Sequence, residues 1–247
     1  MKVKGLEGKR VAFVPARSGS VRVIDKNIRD FFGHPLMAYT IRCAIEAEMF
    51  DEVVCVTDSP DYAKIAVEYG ATVPDLRPAG TASSTSPDIS WVSWALDLLE
   101  SSGQSFEVFS ILRPTSPFRR IETISRAWSL FEAKQPADSL RAIRACKEHP
   151  GKMWVVDEDC MKPLLSNHID GVPWHSNQTA LLPDIYIQDA SLEIALTNNI
   201  KLGKGISGDH VVPFISEGFE GFDINTIDDW IRAEELVRNG EVDLLAI

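Results

Sequence analysis

The chain contains no CxxC pair. Its four cysteines, Cys43, Cys55, Cys146 and Cys160, are widely spaced, and Cys43 and Cys55 stand inside apolar patterns. Buried or idle thiols in a reducing cytoplasm are therefore expected. No uninterrupted apolar run approaches the roughly 20 residues that a membrane span requires. Lys2, Lys4, Glu7, Lys9 and Arg10 interrupt any apolar core of a secretory leader, so none is expected. Positive charge is scarce: 25 Lys and Arg face 36 Asp and Glu, for a net charge of −11. That balance argues against a nucleic-acid or anionic-membrane partner. The sequence also lacks internal repeats and low-complexity segments.

The scarcity of cations makes their local clusters informative. Arg17, Arg22, Lys26 and Arg29 bunch in one early loop, and Arg113, Arg119 and Arg120 bunch in a second place. An acidic chain that concentrates cations at two points is suited to hold a small anion there, although any one of these arginines taken alone reads as a solvated surface group. The length of 247 residues and the hydrophobic fraction of 45% fit one large α/β domain.

Along the chain, strand and helix signals alternate, as in a parallel sheet wrapped by helices. Residues 10–15 read as a buried strand that breaks at Pro15 into the cationic loop. His34 to Ala47 has helical apolar spacing, with Pro35 in the first turn. Asp51 to Thr57 is a second strand, and Ser59-Pro60 starts a helix over Asp61 to Tyr69 that Gly70 closes. Residues 74–88, rich in Pro, Ser, Thr and Gly, form a long loop of the kind that binds ligands at the carboxyl ends of parallel strands. Asp88 is placed to cap the helix through Trp91, Ala95, Leu98 and Leu99. Phe106 to Leu112 is a central strand ending in the stiff corner Arg113-Pro114-Thr115-Ser116-Pro117, and a helix follows with Ile121, Ile124, Trp128 and Phe131 on one face. Ser139 to Ala145, Ile185 to Leu196 and Val211 to Ile215 are further strands. Residues 151–185 break the alternation: MWVVDEDCMKPLL reads as a hairpin and SNHIDGVPWHSNQTALLPD as loop. Thr226 is the expected N-cap of a terminal helix, with Asp228 and Asp229 in its first turn.

A buried strand feeding a small-residue cationic loop suits phosphate binding. The loop is not a Walker A motif, because no GK[ST] follows the glycine, and Gly19 alone cannot make a GxGxxG fingerprint. What remains is PARSGS…R…DKN, in which Arg17 and Lys26 can reach a triphosphate from both ends of one loop. Near the end of the chain, Asp223 and Asn225 stand two apart on an extended segment and point to one side, which offers oxygen ligands to a hard cation. Taken alone, Asp223 reads as a turn or cap residue.

PARSGSVRVIDKNI, GHPLMAYTI, VTDS, LRPA, LRPTSPFR and FDINTIDDW, in that order, resemble the acylneuraminate cytidylyltransferase family, whose members make CMP-activated sialic acids and related nine-carbon sugars. The resemblance spans essentially the whole chain. It implies a Rossmann-like, mostly parallel, doubly wound α/β fold of the nucleotide-diphospho-sugar transferase type. It implies one domain over 1–247 with a dimerisation arm inserted at about 151–185, and a cytoplasmic homodimer. By the same resemblance, Arg17 and Lys26 contact the phosphates of CTP and Asn27 the ribose or adjoining phosphate, while Ala16, Ser18, Gly19 and Ser20 lend loop backbone. Arg77 and the loop after it, through Thr85 and Asp88, face the cytosine. Arg113, Pro114, Thr115, Ser116, Gln188 and Asp189 border the acidic-sugar acceptor. Asp223, with Asn225, holds Mg²⁺ or Mn²⁺.

The chain departs from the family pattern at four places. Val21 replaces a common loop lysine, Asn225 a common second aspartate, and Arg113 a glutamine before PTSP. Ile187, Gln188 and Asp189 stand where an RPNG-like stretch meets the sugar carboxylate. The expected reaction is attack of a sugar hydroxyl on the α-phosphorus of CTP with loss of pyrophosphate, which depends on positioning and charge neutralisation. No histidine pair offers a general base. The alternatives are transfer to another acceptor, such as a sugar phosphate or a phosphonate, and a catalytically weakened nucleotide-binding protein, which Val21 and Asn225 favour. A glycosyltransferase with a DxD-type metal site is a third.

Overall fold

Val11, Ala12, Phe13 and Val14 are fully buried. Their side chains alternate between two separate apolar clusters, as a strand covered by helices on both faces requires. They belong to β1 (Arg10–Pro15) of a computed structural model that describes Leu6, residues 8–83 and residues 85–247. Lys2, Lys4 and Glu7, and Ser84 of the long loop, lie outside the described residues. The other elements, in chain order, are β2 (Asp30–Phe31), β3 (His34–Pro35), α1 (Leu36–Glu46), β4 (Glu52–Val56), α2 (Pro60–Glu68), α3 (Asp88–Ser101), β5 (Val108–Leu112), α4 (Ile121–Ala133) and β6 (Ser139–Ala145). Then come β7 (Trp154–Asp157), β8 (Cys160–Pro163), β9 (His168–Ile169), β10 (Val172–Pro173), β11 (Tyr186–Leu196), α5 (Thr197–Lys201), β12 (Val211–Ile215) and α6 (Ile227–Arg238).

Six strands form the central sheet in the order β12-β6-β11-β5-β1-β4. β1 runs parallel to both β4 and β5, whereas β11 runs antiparallel to β5 and pairs Leu192 with Leu112. One face is covered by α1 and α4 through Ile41, Ala44, Ile124 and Trp128. The other is covered by α3 through Trp91, Val92, Ala95 and Leu99, with Trp91 edge-on to Phe13 at 6.0 Å. A third cluster joins Phe31, Leu36 and Phe118 to Trp230, Ala233 and Leu236 of α6. It fixes the end of the chain beside the segment that follows the first loop.

Local chemistry sets most boundaries. The Ser59 hydroxyl accepts from Tyr62 N, and Gly70 leaves α2 at φ +96. Thr226 and Asp229 form a reciprocal capping box at the start of α6. Three expectations change. His34 and Pro35 belong to the β2–β3 hairpin, whose turn residues Phe32 and Gly33 both have positive φ, so α1 begins at Leu36, two residues later than expected. Asp88 does not cap α3: it is the first helical residue, and its carboxylate accepts from the Trp91 indole at 2.8 Å instead. The segment read as loop after residue 164 contains the β9–β10 hairpin, turned by Asp170-Gly171 with φ values of +50 and +80.

The chain divides into two compact units. The larger takes in the chain up to Ala142 and from Asp189 onward; the smaller is Ile143–Gln188. Within the smaller unit, β7 pairs antiparallel with β8, and His149 packs edge-on to Trp174 at 5.6 Å. Among the described residues, no helix is long and apolar enough to cross a membrane.

Candidate active site

The loop after β1 is tied down at each of its turns. Ala16 N donates to Val56 O at 2.9 Å, which carries the β1–β4 pairing one residue past β1. Ser18 donates to the Asp58 carboxylate through both its backbone N (2.7 Å) and its hydroxyl (2.8 Å). The buried Asn27 side chain donates to Arg17 O at 3.2 Å. Lys26 Nζ then reaches across to Ile224 O at 2.5 Å, and Arg22 lies 3.5 Å from Asn225 Oδ1. The cationic loop is thereby held against the Asp223–Asn225 segment, which is 198 residues away in sequence at the Lys26–Ile224 bond.

The loop and that segment border a cleft of about 380 Å³ in the larger unit. Of the expected site residues, Arg17, Ser20, Lys26, Asn27, Arg77, Asp88, Arg113, Pro114, Thr115, Asp223 and Asn225 line it. Ala16, Ser18, Gly19, Thr85, Ser116 and Asp189 do not. Ser18 in particular is already committed to Asp58. Asp189 is buried, accepting from Ser191 N at 2.9 Å and from the Ser216 hydroxyl. Gln188 belongs to the smaller unit. Sequence reasoning includes Ser83 and Ser86 only as part of the loop after Arg77 and does not assign Pro15, Trp91 or Ala190 to the site, though all of them line the cleft. Arg22, which the sequence marks only as part of the cation cluster, lines it too. Val21 is 85% exposed and outside the lining.

The cations differ in what they face. Among the described residues, Arg17, Arg22 and Lys26 form no ion pair. Burial holds the Lys26 ammonium below its ordinary pKa of 10.5, against the opposite pull of Asp223. Arg77 is buried, donates to the Thr81 hydroxyl and carbonyl, and lies 5.6 Å over the Trp91 ring. Arg113 is paired with Asp88 at 2.5 Å and with Glu193 at 3.5 Å, and Glu193 also holds Arg141 at 3.1 Å. Burial alone would raise the Asp88 carboxyl, but Arg113 and the Trp91 indole hold it below the usual range. Arg119 is buried and donates to Thr40 Oγ1, Arg113 O and Ser191 O; burial pushes its pKa down to about 10. Arg113 and Arg119 are therefore not free to meet an anion: carboxylates neutralise the first, and the second braces backbone.

Ile224 fixes the acidic end of the cleft. It is fully buried, its N donates to Thr115 O at 2.8 Å, and its carbonyl accepts Lys26. The flanking Asp223 and Asn225 both line the cleft, and the Asn225 amide donates to Asp223 Oδ2 at 2.5 Å. Asp223 Oδ1 is buried with no hydrogen-bond partner among the described residues. A buried carboxylate oxygen left without a donor is costly unless a cation meets it. Among the described residues no group of three or more His, Cys, Asp or Glu could hold a metal. One carboxylate is enough for Mg²⁺, which commonly takes one or two carboxylates plus substrate phosphates and water. The residues present therefore fit such an ion. Ile224→Ala is expected to destabilise the fold by about 2–5 kcal/mol in denaturant titration, with weaker nucleotide binding at permissive conditions.

Residues 11–88 match the family model described as cytidylyltransferase. CMP-N,N'-diacetyllegionaminic acid synthase of Legionella pneumophila is 32% identical over 230 residues, which cover 92% of this chain and 95% of that protein. The N-acylneuraminate cytidylyltransferase of Escherichia coli is 39% identical over 124 residues, half of this chain but 28% of that larger protein. Among solved structures, CMP:2-keto-3-deoxy-manno-octonic acid synthetase superposes with a TM-score of 0.67 at 13% identity, covering 94% of this chain and 99% of the other. The 4-diphosphocytidyl-2C-methyl-D-erythritol synthase of Anaerococcus prevotii gives a TM-score of 0.60 at 14% identity, covering 93% and 98%. The structural likeness shows the fold, and the near full-length identity to the Legionella protein shows the family. The chain is a member of the acylneuraminate cytidylyltransferase family and a nucleotidyltransferase.

Proposed function

We propose that this chain transfers CMP from CTP to a hydroxyl of an acidic nine-carbon sugar and releases pyrophosphate. The observation that carries this reading is one cleft in which three unpaired cations, Arg17, Arg22 and Lys26, face a carboxylate with an unpartnered buried oxygen. Cations that form no ion pair among the described residues suit a triphosphate, and the orphaned Asp223 oxygen suits the metal that accompanies it.

In this reading the acceptor oxygen attacks the α-phosphorus in line, its proton passes to solvent, and the bond to the bridging oxygen of pyrophosphate breaks. Arg17 and Lys26 neutralise the charge that builds on the leaving pyrophosphate. Asp223, beside Asn225, holds Mg²⁺ or Mn²⁺, which supplies further charge neutralisation at the phosphates. Arg77, Ser83, Ser86 and Asp88 form the wall toward the base, and Pro114 and Thr115 the wall toward the acceptor. Arg113, being paired with Asp88 and Glu193, braces the wall rather than serving as a free counter-ion for a sugar carboxylate.

Incubated with each of the four nucleoside triphosphates, Mg²⁺ and N-acetylneuraminic, N,N'-diacetyllegionaminic or pseudaminic acid, the protein is expected to release pyrophosphate only with CTP and one of the acids. CTP binding without release for any acceptor would replace this reading with that of a binding protein. The Lys26 environment adds a pH prediction. The folded pKa lies below 10.5, so between that value and 10.5 the unfolded chain binds more protons and stability rises with pH. Nucleotide binding does the reverse: it is full while Lys26 is charged and weakens as pH rises through the lowered pKa. Calorimetry in buffers of different ionisation heat should detect proton uptake on CTP binding in that alkaline range, and Lys26→Arg should abolish it.

We also propose a cytoplasmic homodimer. The four cysteines are free, and burial raises Cys43 to about 11 and Cys55 to about 12, so neither is a reactive thiolate. In the smaller unit, Val156 and its cross-strand partner Met161 of the β7–β8 hairpin are more than half exposed, an apolar pair on one face that a second copy would cover.

A further inference from the structure

β11 meets the cleft through one residue, and that residue is conformationally unusual. Ala190 lines the cleft with φ +61, in the left-handed region that a side chain other than Gly, Asn or Asp seldom adopts. Both neighbours are buried and pinned. Asp189 accepts from Ser191 N and the Ser216 hydroxyl and leaves no room for a Cβ at Gly221, while the Ser191 carbonyl accepts from the buried Arg119. The two anchors impose the left-handed turn between them and hold the Ala190 side chain in the cleft wall. Non-glycine residues kept in such a conformation concentrate at functional sites.

The sheet order tells which part of the cleft this is. Because β11 is antiparallel to β5 and Leu192 pairs with Leu112, Ala190 lies past the end of β5, level with the Arg113-Pro114-Thr115 corner. The phosphate loop follows β1, and Arg77 N donates to Thr57 O just past β4, two strands farther along the sheet from β5. Ala190 is therefore on the side of the cleft away from Arg77, the side that Asp88 reaches only through its pair with Arg113.

We propose that Ala190 is a specificity-determining residue that sets the room available to the acceptor sugar. This rests on the cytidylyl-transfer reading above. A methyl group is the smallest side chain that still fills the wall. A longer one would project into the acceptor half and leave the nucleotide half untouched.

Ala190→Asn is the informative variant, because Asn tolerates the left-handed region and adds an amide without forcing the backbone. Ala190→Gly is its counterpart, relieving the backbone and opening the wall. With the full chain, CTP and Mg²⁺, the wild type is first assayed against N-acetylneuraminic, N,N'-diacetyllegionaminic and pseudaminic acids. For whichever acid turns over, Ala190→Asn is expected to raise the acid's KM by roughly tenfold or more, with CTP affinity by calorimetry within about twofold and Tm unchanged. Ala190→Gly is expected to keep CTP affinity and leave the acid's KM equal or lower. An Asn variant whose acid KM stays within about twofold overturns the proposal, as does one that loses CTP affinity and acid KM together, since that marks a structural role. A wild type silent with every acid fails one step earlier: it overturns the cytidylyl-transfer reading and this inference with it.

Discussion

Arg17→Ala is expected to lower kcat/KM for CTP by roughly 10²–10³-fold, the usual cost of removing one preorganised group that neutralises transition-state charge. The fold should hardly notice. The loop contact made at this residue is the backbone carbonyl, which accepts from Asn27, and the side chain has no ion pair among the described residues. Tm should therefore stay within about 2 °C of wild type. Arg113→Ala should behave in the opposite way, because it takes the cation from Asp88 and one of two from the Glu193 carboxylate, which is 4% exposed and keeps Arg141. Steady-state kinetics and thermal unfolding on the two variants separate a free cation from a braced one. A normal kcat/KM in Arg17→Ala would mean that the unpaired guanidinium does not meet phosphate.

Asp223→Ala is expected to reduce turnover by roughly 10³-fold or more, since charge stabilisation by a bound cation amounts to several kcal/mol. Here too the structural loss is small: among the described residues one carboxylate oxygen has no hydrogen-bond partner, and the other accepts only the Asn225 amide. Asp229, six residues on, is the natural control. It accepts from the backbone of Asn225 and Thr226 and from the Thr226 hydroxyl. Asp229→Ala should therefore cost about 1 kcal/mol of stability and little activity. Mn²⁺ relaxation enhancement of water protons, read with and without CTP, checks the metal role: the Asp223 variant should lose it and the Asp229 variant should keep it.

Much of this architecture was legible in the chain because its signals are local. The buried run Val11–Val14, the Ser59 start and Gly70 stop of α2, and the Thr226 cap of α6 each act within a few residues. The phosphate loop was legible for a related reason: small residues and cations following a buried strand are a property of one stretch. Partnerships across the chain were not legible. Nothing near Arg113 announces that Asp88 and Glu193 will neutralise it, and nothing near Arg119 announces that it will be buried against Ser191 O. The second cation cluster consequently resembled an anion site until its partners came from α3 and β11. Ala190 escaped notice because an alanine in a strand carries no chemical signal; its φ comes from the anchoring of Asp189 and Ser191. Asp170-Gly171 did carry a signal, since that dipeptide favours a tight hairpin turn, and a stricter reading would have placed β9 and β10.

The central claim is that the cleft directs an acceptor hydroxyl to the α-phosphorus of CTP, so that CMP leaves with the sugar. Phosphorus NMR of one reaction mixture, containing enzyme, CTP, Mg²⁺ and N,N'-diacetyllegionaminic acid or another turned-over acid, tests it most directly. A new phosphodiester resonance growing in equal amount with pyrophosphate, at the expense of CTP, is the predicted result. Growth of CDP and inorganic phosphate, or a CTP spectrum that stays unchanged with every acid, would contradict it.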